Sequence, residues 1–132
     1  MSVEWLDRRA SAPLPNYTLC LSEKDYFHIF KRLGEKPIAE WVSPGSHGTT
    51  HTLYDKAGNI CCIVCMKDTK GMEAGAVYGL IIHEAVHVWQ KYCLSIGETN
   101  PSTEFEAYSI QWICQQMLYS FDKQRMAAKC RQ

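Results

Sequence analysis

The chain has 132 residues, enough for one ordinary domain and too few for two. Hydrophobic residues make up 46% and charged residues 21%, a globular mix that a largely disordered chain does not have. Lys plus Arg and Asp plus Glu both number 14, so the net charge is zero. That balance argues against recognition of nucleic acid or of a membrane surface through bulk positive charge.

Residues 1–20, with Pro13 and Pro15, read as an irregular arm, and the rest of the chain, 21–132, as one domain. The arm has no apolar core of the kind a signal peptide needs, so a cytoplasmic protein is expected. Ser22 to Gly34 predicts the first helix. Ser22 and Asp25 resemble a capping box, Leu21 stands at the staple position, and Tyr26, Phe27, Phe30 and Leu33 recur at helical spacing before Gly34 stops it. Lys36 to Gly48, holding Pro37, Pro44 and Gly45, reads as a loop. His51–Tyr54 and the apolar Asn59–Met66, separated by Asp55-Lys-Ala-Gly58, then predict a hairpin.

A long helix follows, from Gly71 or Met72 to about Ile96, closed by Gly97. Its first two-thirds are apolar on nearly every side, as a central buried helix is. The run Ala74–Trp89 is interrupted by His83, Glu84 and His87, too short and too polar at its centre to span a bilayer. After Thr99-Asn-Pro-Ser102 a second long helix runs to about Gln124, with Ala107, Ile110, Cys114, Met117 and Phe121 along its inner face. The expected fold class is α+β: a short antiparallel sheet packed beside two long helices.

Seven cysteines without an export signal are expected to be reduced and mostly buried, behaving as small hydrophobes. Cys62-Ile-Val-Cys65 has the spacing of a zinc knuckle or redox pair. On a strand, however, residues three apart point to opposite faces, which sets these two sulfurs apart.

The residues that carry chemistry are His83-Glu84-Ala85-Val86-His87, an HExxH on the central helix. Residues four apart lie one turn apart on one face, so both imidazoles can reach one ion, and Glu84 flanks them as a proton acceptor for water. At this composition a chance HExxH has an expected frequency of roughly 0.01. Burying three ionisable groups in an apolar helix without partners costs several kcal/mol, so they either bind something or satisfy one another. A catalytic zinc site takes three protein ligands and one open position. The downstream carboxylates before Asp122 are Glu98, Glu104 and Glu106, two of them opening the next helix.

HExxH followed by Glu104-Phe-Glu-Ala107 resembles the gluzincin clan of zinc metallopeptidases over about residues 50–120. In its size the chain resembles minimal metallopeptidases carried by bacteria or their prophages. The resemblance implies Zn²⁺ held by His83, His87 and a glutamate on the following helix, Glu84 as general base, and a peptide or protein as substrate. Glu104 and Glu106, two residues apart, project about 200° from each other, so one of them faces the ion. Ala107 and Tyr108 beside Glu104 favour Glu104; Glu106 is the alternative and also fits a capping box from Thr103. Tyr108 stands where several gluzincin families place Asp or Asn, and is a candidate for oxyanion stabilisation. The chain also lacks room for the second subdomain that usually builds the substrate cleft. Substrate is expected to lie along the hairpin edge. A non-catalytic zincin-like binding or assembly module, with zinc joining two helices, is the rival reading. His47 and His51 are candidates for the site mouth, more simply read as loop and strand-end residues.

Overall fold

The computed structural model describes residues 3–6 and 16–132. The element order is β1 (Asn16–Cys20), α1 (Glu23–Leu33), β2 (Gly48–Tyr54), β3 (Ile60–Met66), α2 (Ala74–Ile96) and α3 (Thr103–Lys129). The fold is α+β: a three-stranded mixed sheet packed against α2 and α3, with the short helix α1 added.

The centre of the sheet is β3, whose seven residues Ile-Cys-Cys-Ile-Val-Cys-Met are all buried. An unbroken apolar run of this length is what a strand covered on both faces requires. Cys62, Val64 and Met66 join the core shared with α2 and α3, while Ile63 and Cys65 join a second core under α1. The two cysteines of the CxxC therefore lie on opposite faces, as the period of a strand demands.

Strand β2 pairs antiparallel with β3, from Gly48 opposite Met66 to Tyr54 opposite Ile60. It forms one edge of the sheet. The other edge is β1, which pairs parallel with β3 from Asn16 opposite Cys61 to Cys20 opposite Cys65. This corrects two expectations, the irregular arm over 1–20 and the purely antiparallel sheet: residues 16–20 are a parallel sheet strand, and Leu6 bridges Tyr17. Tyr17 and Leu19 are fully buried in the main core, so the folded unit begins before residue 21. The remainder of the arm reading, at residues 1–2 and 7–15, lies outside the described residues.

Helix α1 starts and stops where expected. Ser22 Oγ accepts from the Asp25 amide, Gly34 adopts the left-handed conformation (φ 71°), and the Glu35 amide reaches back to the Phe30 carbonyl. Its buried line is Tyr26, Ile29 and Phe30; Phe27, expected inside, is exposed.

Helix α2 closes at Gly97 in the same manner (φ 72°), with Glu98 N–H donating to the Cys93 carbonyl. It is covered on two sides only, by the sheet and by α3. Tyr78 and Ile82, each 44% exposed, face solvent, so the helix is less enclosed than its composition suggested. Helix α3 runs five residues beyond the expected end at Gln124. Ile113, Met117 and Phe121 carry its inner face, and Gln124 Nε2 donates to the Leu19 carbonyl at 2.8 Å, fixing α3 to β1. Among the described residues no helix is long and apolar enough to cross a membrane.

Candidate metal centre

His83 and His87 lie one turn apart on α2 with their ring centroids 4.7 Å apart and their planes at 87°. Their Nε2 atoms are 3.1 Å apart. Two imidazole nitrogens bound at about 2.0–2.1 Å to one tetrahedral ion stand roughly 3.3 Å from each other. The observed separation therefore fits a shared ion almost without adjustment. It also fits an N–H···N bond between the rings when one Nε2 carries a proton.

His87 has a partner that selects between its nitrogens. Its Nδ1–H donates to Gln90 Oε1 at 3.0 Å, which leaves the Nε2 lone pair free to face His83 and the cleft.

Glu84 points from α2 onto the sheet edge. Thr50 Oγ1 donates to Glu84 Oε2 at 2.7 Å, and the residue is 3% exposed. The close approach depends on Gly48: a Cβ there would stand 2.9 Å from Glu84 Oε1 and 3.2 Å from Cγ. Period two explains the grouping, since Gly48 and Thr50 share the face of β2 that meets α2. His51 is on the opposite face, where its Nε2–H donates to the Trp41 carbonyl at 2.8 Å and its ring packs against Tyr26. His51 lies in the middle of β2, where the plainer reading had a strand end.

A cleft of about 340 Å³ opens between β2 and α2, lined by Thr49, Thr50, His83, Glu84, His87 and Lys91 among others. A second cavity of about 470 Å³ adjoins it across His83 and Glu84, with Met72, Ala76 and Leu80 in its wall. His47 lines this second cavity, so of the two loop histidines one borders the centre.

The structure does not bring the expected third ligand to the pair. Glu104 is exposed, and Tyr108, 66% exposed, lies on the same outward side of α3. The reason is packing: Ile113, Met117 and Phe121 turn the opposite side of α3 inward, and Ala107, expected to sit against α2, is exposed. Glu106, not Glu104, faces α2. It does not cap its own helix, because the N-cap Ser102 has no side-chain bond and Glu106 Oε2 instead accepts from Trp89 Nε1 at 2.9 Å. Trp89 projects from the side of α2 away from the histidines, so Glu106 is engaged in the core. Among the described residues no group of three or more His, Cys, Asp or Glu is placed to hold a metal. The donor set that fits zinc is the histidine pair alone.

The cysteines form no competing centre. All seven are free thiols. Burial pushes Cys61 up to about 12, aided by the charge of Asp55, and burial likewise pushes Cys62 to about 12. Cys65 is raised by its hydrogen bond with Cys20 and then by burial. Protonated thiols of this kind are poor metal ligands and poor nucleophiles.

The sequence reading missed Gln90, whose signal was a polar group three positions after His87 on one helical face. Gly48 and Thr50 carried no signal, because only the packing of β2 on α2 gives them meaning. The chain matches no protein-family model, no curated protein and no solved structure.

Proposed function

We propose that the chain is a zinc-dependent hydrolase that cleaves peptide bonds, with His83 and His87 as metal ligands and Glu84 as general base. The observation that carries this reading is the approach of the two Nε2 atoms to 3.1 Å beside a carboxylate fixed to the neighbouring strand. Zinc, when bound there, supplies a Lewis acid and makes water acidic enough to react near neutral pH.

The protein's own part follows from the side chains. Gln90 holds the His87 ring in the tautomer that presents Nε2. Thr50 occupies Glu84 Oε2, leaving Oε1 to take a proton from water and to return it to the leaving amine. The edge strand β2 offers backbone groups along which an extended peptide can lie beside these residues.

A second reading is favoured by the same carboxylate. A Glu84 that is 3% exposed and bonded to Thr50 also serves as a tie between α2 and β2, which suits a non-catalytic binding or assembly module. The two readings separate in one experiment. Glu84→Gln keeps the bond from Thr50 but cannot accept a proton as carboxylate does, so zinc content stays equal while hydrolysis of a peptide library falls by about 10²-fold or more. Equal hydrolysis in wild type and variant at equal zinc content overturns the catalytic reading. Glu104→Ala tests the remaining ligand: unchanged zinc affinity leaves the first turn of α3 outside the centre, and lost affinity brings it in.

A further inference from the structure

The two adjoining cavities share Ser46, Gly48, His83 and Glu84 and differ in the residues beyond them. One half is walled by Met72, Ala76 and Leu80 and contains no lysine or arginine. The other is walled by hydroxyl groups of Ser43, Thr49 and Thr50 and ends at Lys91. Lys91 stands four residues after His87 and eight after His83, so the three residues form a ladder on one side of α2. One turn of helix separates Lys91 from His87, a rise of about 5–6 Å. Lys91 lines this half of the cleft together with His83 and His87. Lys91 is exposed and in no ion pair among the described residues, where Glu4 pairs with Lys123, and its charge acts on the Cys62 thiol of β3. Among the described residues that line this half of the cleft the one carboxylate is Glu84, and Thr50 already holds it.

We propose that Lys91 selects substrates bearing a carboxylate one or two residues from the bond placed at the histidine pair. The spacing sets that limit, since one strand residue advances about 3.3 Å. The inference rests on the hydrolase reading for the location of the bond, but not for the binding preference itself. The carboxylate belongs either to an acidic side chain or to a free C-terminus, and the same chemistry at Lys91 recognises both.

The test uses the full chain with Glu84→Gln, so that peptides bind without turnover, and reads fluorescence anisotropy of labelled N-acetylated alanine hexapeptides. Three are C-terminally amidated and carry one central Glu, Gln or Lys; two carry no central substitution, one with a free and one with an amidated C-terminus. The expected result is about tenfold or tighter binding of the central-Glu or the free-acid peptide than of its neutral counterpart. Lys91→Met abolishes that preference, Lys91→Arg keeps it, and Lys91→Glu transfers it to the lysine peptide. Which of the two acids gains identifies the source of the carboxylate. The same preference in Lys91→Met, no preference in the parent, or no binding by any peptide overturns the proposal. Zinc content and hydrolysis are read separately in the chain with native Glu84. Their loss beside a Lys91-dependent preference overturns the hydrolase reading alone, and hydrolysis indifferent to Lys91 overturns this inference alone.

Discussion

Two carboxylates lie at the packed sides of α2, Glu106 coming from α3 and Glu84 reaching from α2 itself to β2, and the two are used differently. On the side toward α3, Trp89 is 2% exposed, packs edge-on against Phe105, and hands its one polar hydrogen to Glu106. Everything there is explained by burial: a large ring, an apolar neighbour and an acceptor for the indole N–H. On the side toward β2, His83, Glu84 and His87 line a cleft, and the two imidazoles bring their Nε2 atoms to 3.1 Å from each other there. The comparison teaches that a carboxylate near an HExxH helix is not thereby a metal ligand. The acid that the α2–α3 contact recruits is consumed by the core.

The comparison is broken most severely at the packed side. Trp89→Ala should cost about 3–5 kcal/mol of stability, read by denaturant unfolding, because the α2–α3 core loses its largest side chain. Next comes the open side, where the about 10²-fold loss expected for Glu84→Gln corresponds to roughly 2.7 kcal/mol of barrier. That variant should unfold at nearly the wild-type denaturant concentration, since Thr50 keeps an acceptor. A destabilisation as large as that of Trp89→Ala would make Glu84 a structural group and erase the contrast.

Glu106→Ala sharpens the same contrast at smaller scale. It leaves the Trp89 N–H buried without an acceptor, at about 1–3 kcal/mol, while zinc affinity should not change. Glu106→Gln should recover most of that stability. Zinc lost in Glu106→Ala would contradict the assignment of this carboxylate to the core.

One further effect is invisible at neutral pH. Cys61 and Cys62 ionise near 12 in the folded chain against an ordinary value of 9.0, so folding favours their protonated forms. Their contribution to stability is complete below about pH 9 and is lost as pH rises toward 12. Melting temperatures measured from pH 8 to 11 should fall, and Cys62→Val should flatten the fall.

The elements were largely legible where local chemistry decides them. Ser22, Gly34 and Gly97 mark helix ends through their own backbone preferences, and the apolar run of β3 announces a strand buried on both faces. Strand β1 was not legible: five residues behind Pro13 and Pro15 have meaning only beside β3, through parallel pairing distant in sequence. The site divides the same way. The histidine pair and Glu84 follow from helical spacing within one element. The choice between Glu104 and Glu106 depends on how α3 is rotated against α2, which Ile113, Met117 and Phe121 set from further along the helix. Thr50 and Gly48 depend on where β2 meets α2, and nothing in their local sequence records that.

The measurement that bears most directly on the account is the zinc content of the full chain after purification without chelator and dialysis against trace zinc, compared with the His83→Ala/His87→Ala double variant. The account predicts about one zinc per wild-type chain, by the stoichiometry of such sites, and none in the variant. It also predicts a melting temperature that zinc raises only in the wild type. Full zinc occupancy in the double variant, or a wild-type chain that binds none, would contradict it.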